Sequence, residues 1–164
     1  MSLSYQDVIE RLNLEPLELE GGFYRRTYET TQSINLNKGF DQPLGTAIYF
    51  LLTEDNFSAL HWLEEDEVYH FYLGDAVELY ELTPGEGMKR TILSHQIDAG
   101  HQVQYPVIKH RWHGSRLAEG GKWALLGTTM APGFAWDDFK LGKRDELIRE
   151  FPKHRATIES LTRN

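Results

Sequence analysis

There is no cysteine among the 164 residues, and that absence removes disulfide frameworks, thiolate nucleophiles and thiolate metal sites together. Any metal bound by this chain is held by histidine nitrogen and carboxylate oxygen. Positive charge is also scarce. The 17 Lys+Arg stand against 25 Asp+Glu, for a formal net charge of −8, and this balance argues against a protein that tracks nucleic-acid phosphates. Long apolar runs are missing too: none approaches the ~18 residues of a membrane-crossing helix. The start, MSLSYQDVIERLN, carries Asp7 and Glu10 where a targeting segment would have its apolar stretch. A cytoplasmic protein with no nucleic-acid or membrane partner is the expectation. Low-complexity segments, internal repeats and linkers are absent, so the chain reads as one domain over residues 1–164.

What is present is a strand-and-turn texture. From Phe23 to about Met130, short aromatic and β-branched runs alternate with Gly, Pro, Asn and Asp clusters. The clearest runs are GFYRRTYE, TAIYFLL, SALHWL, EVYHFYLG, AVELYEL, KRTILS, HQVQYP, RWHGSRL and KWALLGTTM. Turns such as Thr83–Gly87, Asp98–Gly100 and Glu119–Gly121 join them. Many short strands without intervening helices point to an all-β sandwich or barrel. Helices bracket this β core, which spans about residues 20–135. Ser4 and Asp7 form a capping box ahead of a helix with Tyr5, Val8, Ile9 and Leu12 on one face, stopped by Pro16. A C-terminal helical segment over about 140–163 carries Leu147, Ile148 and Phe151 up to Pro152, then Ile158 and Leu161.

Chemistry is concentrated in histidine. Of seven histidines, His61, His70, His110 and His113 sit in or beside expected strands, near the acidic run Glu64–Glu67. Histidine is the usual neutral metal ligand and general base, although a single strand histidine is more often a packing residue. Spacing sharpens the reading. His61-x-Leu63, three residues, Glu67, six residues, Gly74 resembles the first motif of the cupin superfamily, His-x-His, three or four residues, Glu, six residues, Gly, with Leu63 in place of the second histidine. Gly100, five residues, Pro106, then Trp112-His113 is similar to the second cupin motif if two extra residues are allowed within Val107–Arg111.

Strand alternation puts His61 and Leu63 on one face, and a hairpin turn through Glu64–Asp66 is expected to bring Glu67 back beside them on the neighbouring strand. His113 would complete a facial set of two imidazoles and one carboxylate, suited to Fe(II), Mn(II), Ni(II) or Zn(II) with positions open for substrate. His61 and Glu67 are also candidate catalytic groups. His70, three positions beyond Glu67, points to the other face by strict alternation; a bulge would turn it inward as a third catalytic candidate.

Along nearly its whole length the chain resembles one cupin subfamily, the DUF985 or cupin-5 proteins. The landmarks are Glu20–Tyr28, Thr46–Leu52, Ser58–His61, Asp66–Gly74, and Ala131–Phe134 followed by Asp138-Phe139. This resemblance implies a double-stranded β-helix, the cupin jelly-roll barrel similar to sugar-epimerase cupins, with short flanking helices and assembly as a homodimer. It implies little about the reaction.

The functional expectation is a small polar metabolite, sugar- or nucleotide-like, bound in the barrel, with isomerase, epimerase or metal-assisted chemistry. A non-catalytic binding or sensor module is the alternative, and Leu63 favours it. Tyr49, Tyr69, Phe71 and Trp112 are the candidate ligand-binding aromatics around the polar groups. Adjacent Arg25 and Arg26 face opposite ways on a strand, so at least one belongs to the surface or an interface, while one could clamp a substrate anion.

Overall fold

The computed structural model describes residues 3–163. Thirteen strands follow one another as β1 (Glu15–Pro16), β2 (Phe23–Glu29), β3 (Ser33–Asn35), β4 (Asp41–Pro43), β5 (Thr46–Thr53), β6 (Ser58–Trp62), β7 (Glu67–Gly74), β8 (Val77–Thr83), β9 (Gly87–Leu93), β10 (Gln104–Val107), β11 (Trp112–Leu117), β12 (Trp123–Met130) and β13 (Lys140–Leu141). Helix α1 (Tyr5–Leu12) precedes them, and α2 (Arg144–Glu150) and α3 (Arg155–Ser160) follow. The nine expected runs correspond to β2 and β5–β12. The strands that escaped the pattern, β1, β3, β4 and β13, are two or three residues long, too short to show alternation.

Two antiparallel sheets carry the architecture, one ordered β1-β2-β5-β12-β7-β10 and the other β13-β6-β11-β8-β9, with β3-β4 as a separate hairpin. From β5 to β8 the chain changes sheet at every step, and it does so again from β9 to β13. That back-and-forth course is a jelly-roll-like topology. The turn expected at Thr83–Gly87 joins β8 and β9 in a close hairpin, with Thr83 opposite Gly87.

Alternation decides what each face holds. On β5, Ile48, Phe50 and Leu52 point between the sheets, where they meet Tyr69 and Phe71 of β7, Val77 and Leu79 of β8, and Ala124 and Leu126 of β12. Each large apolar side chain removed from water in this way contributes roughly 1.5–3 kcal/mol. Tyr49 and Leu51 point outward and are covered, with Leu125, by the apolar face of α1. That helix starts with the expected capping box: Asp7 N donates to Ser4 Oγ at 3.2 Å and Ser4 N donates to Asp7 Oδ2 at 2.9 Å. It ends at Asn13, which adopts φ 50°, before Pro16 is reached; Pro16 belongs to β1. On the opposite side, Leu147, Ile148, Phe151, Ile158 and Leu161 of the C-terminal segment cover Leu60, Tyr80 and Leu82 on the outer face of the second sheet.

Candidate functional site

Three strands change character along their length. The inward positions of β5 run from Thr46 to Leu52, those of β7 from Glu67 to Phe71, and those of β12 from Leu126 to Thr128 and Met130. Because Met130 lies opposite both Thr46 and Glu67, the polar positions fall at one end of the inter-sheet space. A cavity of about 300 Å³ opens there. Its lining includes His61, Leu63, Glu67, Thr128, Phe134 and Trp136.

His61 and Glu67 line it and His113 stands against them, all three buried, with one potential donor atom from each lying within 4.8 Å of the others. His61 and His113 are directly opposite on β6 and β11, their ring centroids 4.1 Å apart. Glu67 arrives from β7 in the facing sheet, and His113 Nε2 donates to its Oε2 at 3.0 Å. This corrects the hairpin expected through Glu64–Asp66: the chain crosses between sheets at that turn, so imidazole and carboxylate converge across the space rather than along neighbouring strands.

The imidazoles are fixed from behind. His61 Nδ1 donates to Ala59 O at 2.7 Å, and His113 Nδ1 to Arg111 O at 3.2 Å, which leaves each Nε2 as the ligand atom. Phe139 stacks on the His61 ring at 5.3 Å. Burial, and then the charge of His113, push His61 down to about 3, so it is a neutral imidazole. Burial opposes the charge on His113, but the hydrogen bond and charge of Glu67 outweigh it and raise its pKa. Glu67 is held below the usual carboxylate range because the His113 partner overcomes its desolvation. His113 Nε2 and Glu67 Oε2 are thus held together by a charge-assisted hydrogen bond, and both are among the atoms that would hold a cation. Two imidazoles with their far nitrogens anchored and one carboxylate suit a first-row divalent ion, so the residues fit the metal that the motif implies.

The other expected residues are distributed differently. Tyr69 is buried beside the triad, edge-on to His113 at 6.2 Å, and burial followed by the charge of Glu67 pushes its hydroxyl well above the usual range. Phe71 lies deeper, in the hydrocarbon core. Tyr49 packs with α1 on the outer face. Trp112 precedes the inward His113 and therefore points outward, against Trp62 and the C-terminal helices. His70 keeps strict alternation with inward Tyr69 and Phe71; it faces out, bonded to Thr129 Oγ1 at 2.9 Å and to Gln104. The bulge in β7 falls beyond it, between the positions paired with Leu126 and Leu125, so nothing turns His70 inward. Of the arginine pair, Arg26 lines the cavity and is bonded to Glu29, while Arg25 lies over the Tyr49 ring. His110 sits on an exposed turn bonded to Glu64.

Glu20 is a site residue the reading of motifs missed. It lines the same cavity, and burial followed by the charge of Glu67 pushes its carboxyl up to about 7. Ser58 Oγ donates to its Oε1 at 2.6 Å, and its carbonyl accepts from Ala59 N at 2.8 Å and Arg163 Nη1 at 2.7 Å. The signal was the pair Gly21-Gly22 beside it, with φ of 108° and 75°. At Gly21 a Cβ would lie 2.2 Å from Phe57 O, so only glycine lets the chain turn there and seat Glu20. Phe134 and Trp136 also line the cavity and were likewise missed as site residues, although Phe134 closes the Ala131–Phe134 landmark. Their loop is held by the β3-β4 hairpin, through Gly133 N to Pro43 O at 2.7 Å and through Lys38, which binds Glu65 at 2.6 Å and Asp138 at 2.8 Å.

Two facing sheets in jelly-roll-like order, with histidines and a glutamate converging between them, define a cupin-type protein. Residues 6–142 match the family described as Cupin superfamily (DUF985), and the chain belongs to it. Among solved structures it is similar to protein SO0799 from Shewanella oneidensis, at 31% identity and TM-score 0.90 over 99% of both chains. A hypothetical protein from Leishmania major is similar at 24% identity and TM-score 0.91, covering 99% of this chain and 100% of that one. A dTDP sugar isomerase from Desulfovibrio desulfuricans shares the fold at 12% identity and TM-score 0.55, over 85% of this chain and 91% of its own. No curated protein matches the sequence.

Proposed function

We propose that this protein binds a divalent metal ion at His61, Glu67 and His113 and holds a small polar metabolite beside it, in the mouth of a double-stranded β-helix barrel formed by the two sheets. The observation that carries the proposal is the convergence of three buried donors from β6, β7 and β11 within 4.8 Å, with both imidazoles anchored through Nδ1. A bound ion of the Fe(II), Mn(II), Ni(II) or Zn(II) type would supply Lewis acidity toward a ligand oxygen. The chain supplies the rest. Phe139 and the backbone carbonyls orient the imidazoles, Phe134 and Trp136 form an apolar wall that excludes water, and Tyr69 stands behind His113 as a polar floor. Proton transfer next to a carbonyl, the chemistry of isomerases and epimerases, is the reaction type this set of groups serves best.

A second reading, a non-catalytic binding module, is favoured by Leu63. Its side chain lines the cavity where the motif has its second histidine, so one donor of the usual set is replaced by hydrocarbon.

Reconstitution of metal-stripped protein with Fe(II), Mn(II), Ni(II) and Zn(II), followed by elemental analysis, tests the metal reading. One equivalent of one ion in the wild type, lost in Glu67→Gln and His113→Ala, is the supporting result. Less than a tenth of an equivalent with every ion overturns it. A ligand recovered chemically unchanged after long incubation with the loaded protein selects the binding module over the enzyme.

A further inference from the structure

Glu20 stands in the cavity wall but outside the cluster whose donors lie within 4.8 Å of one another, so it faces whatever occupies the cavity rather than completing the triad. One of its oxygens takes the Ser58 hydroxyl at 2.6 Å. Among the described residues no protein donor reaches the other oxygen, and no cation forms an ion pair with the carboxyl. The nearby Arg163 directs its guanidinium to the carbonyls of Leu19, Glu20 and Phe57 instead. A carboxyl oxygen that faces the cavity without a protein donor is open to one from the ligand.

The rest of the lining has the same bias. Glu15 adds another carboxyl, Glu67 is already engaged with His113, and the one cavity arginine among the described residues, Arg26, is already bonded to Glu29. The cavity therefore presents carboxyls and, among the described residues, no unpaired cation. A dicarboxylate or phosphate entering it would set negative charge beside negative charge, whereas hydroxyl or ammonium groups would find partners.

We propose that Glu20 is the specificity-determining residue of this cavity: it accepts a hydrogen bond from a hydroxyl or ammonium group of the ligand, so that polyols or amino alcohols are bound in preference to dianions. This rests on the cavity being the ligand site proposed above. Ligand donation to Glu20 favours its ionised form, and the upward displacement of its carboxyl pKa is the condition from which such a donor rescues it.

The test uses metal-free full-length protein, in which no cation draws in a carboxylate, titrated with xylitol, 2-amino-1,3-propanediol and succinate by ligand-observed NMR. At least one donor-bearing probe binds wild type about tenfold tighter than succinate, and which of the two does so separates hydroxyl from ammonium recognition. Glu20→Gln, which keeps the side-chain shape and a Ser58 partner, weakens the favoured probe about tenfold while strengthening succinate. A merely structural role for Glu20 would weaken all three probes alike. Preference of wild type for succinate, equal effects of Glu20→Gln on every probe, or no binding of either donor-bearing probe overturns the proposal. Failure of the metal reading shows separately, as zinc uptake below a tenth of an equivalent when the same protein is loaded with Zn(II).

Discussion

The two ends of the inter-sheet space are built from the same strands and do opposite things. At one end Phe50, Leu52, Phe71, Leu79 and Leu126 fill it with hydrocarbon; at the other, further along the same strands, Thr46, Glu67 and Thr128 leave a cavity that reaches His61 of β6, with His113 of β11 against it. No change of fold separates them. The difference lies in which side chains occupy inward positions, and it shows how a β sandwich divides its labour: the packed end makes the sheets rigid, and the rigid sheets hold His61, Glu67 and His113 at fixed separation. Burying those polar groups costs stability, offset by the Glu67–His113 hydrogen bond and by the anchored Nδ1 atoms.

Substitutions at the two ends should therefore part company. Phe50→Ala, at the packed end, should lower stability by about 3–5 kcal/mol, measured by denaturant unfolding, because the surrounding core cannot fully collapse around the lost ring. At the polar end, His113→Ala should weaken metal binding on the order of 100-fold or more. Uptake of the ion by wild type near neutral pH should also release protons, since the cation competes with the proton between His113 and Glu67. Calorimetry in buffers of different ionisation enthalpy measures that release, and affinity should fall as pH falls.

Glu20 tests the polar end through pH. Its folded pKa is raised from 4.5 to about 7, so folding takes up a proton in that window. The resulting stability is complete below the unfolded value, is lost as pH rises through the folded one, and leaves a penalty above it. Glu20→Gln in metal-free protein should thus be more stable than wild type at pH 8, by about 1–3 kcal/mol, and nearly equal to it at pH 4. A smaller gain is expected from Leu63→His: restoring an imidazole to the cavity should tighten metal binding by about tenfold. Least affected should be His70→Ala. It removes an outward histidine that reaches neither end, so metal affinity should stay within about twofold.

Much of this arrangement was legible in the amino-acid sequence because alternation is a local property. The inward set of β7, Glu67, Tyr69 and Phe71, follows from position parity alone, and so does the outward direction of His70. Parity also shows why Trp112, beside the inward His113, could not line the cavity; the motif drew attention to it as an aromatic, and its packing partners come from helices far along the chain. The partner sheet of a strand is not local. Glu64–Asp66 reads equally well as a hairpin turn or as a crossing between sheets, and the crossing is what sets Glu67 across from His61. Glu20 was hidden for a related reason. It belongs to no regular strand, and its place depends on Gly21, Ser58 and Arg163, which the sequence scatters over the whole chain.

A crystal soaked in Co(II), with data collected at the cobalt edge, addresses the triad most directly. The account predicts one strong anomalous peak within bonding distance of His61 Nε2, Glu67 and His113 Nε2. A difference map with the Glu67–His113 hydrogen bond intact and no anomalous peak between those side chains would contradict it.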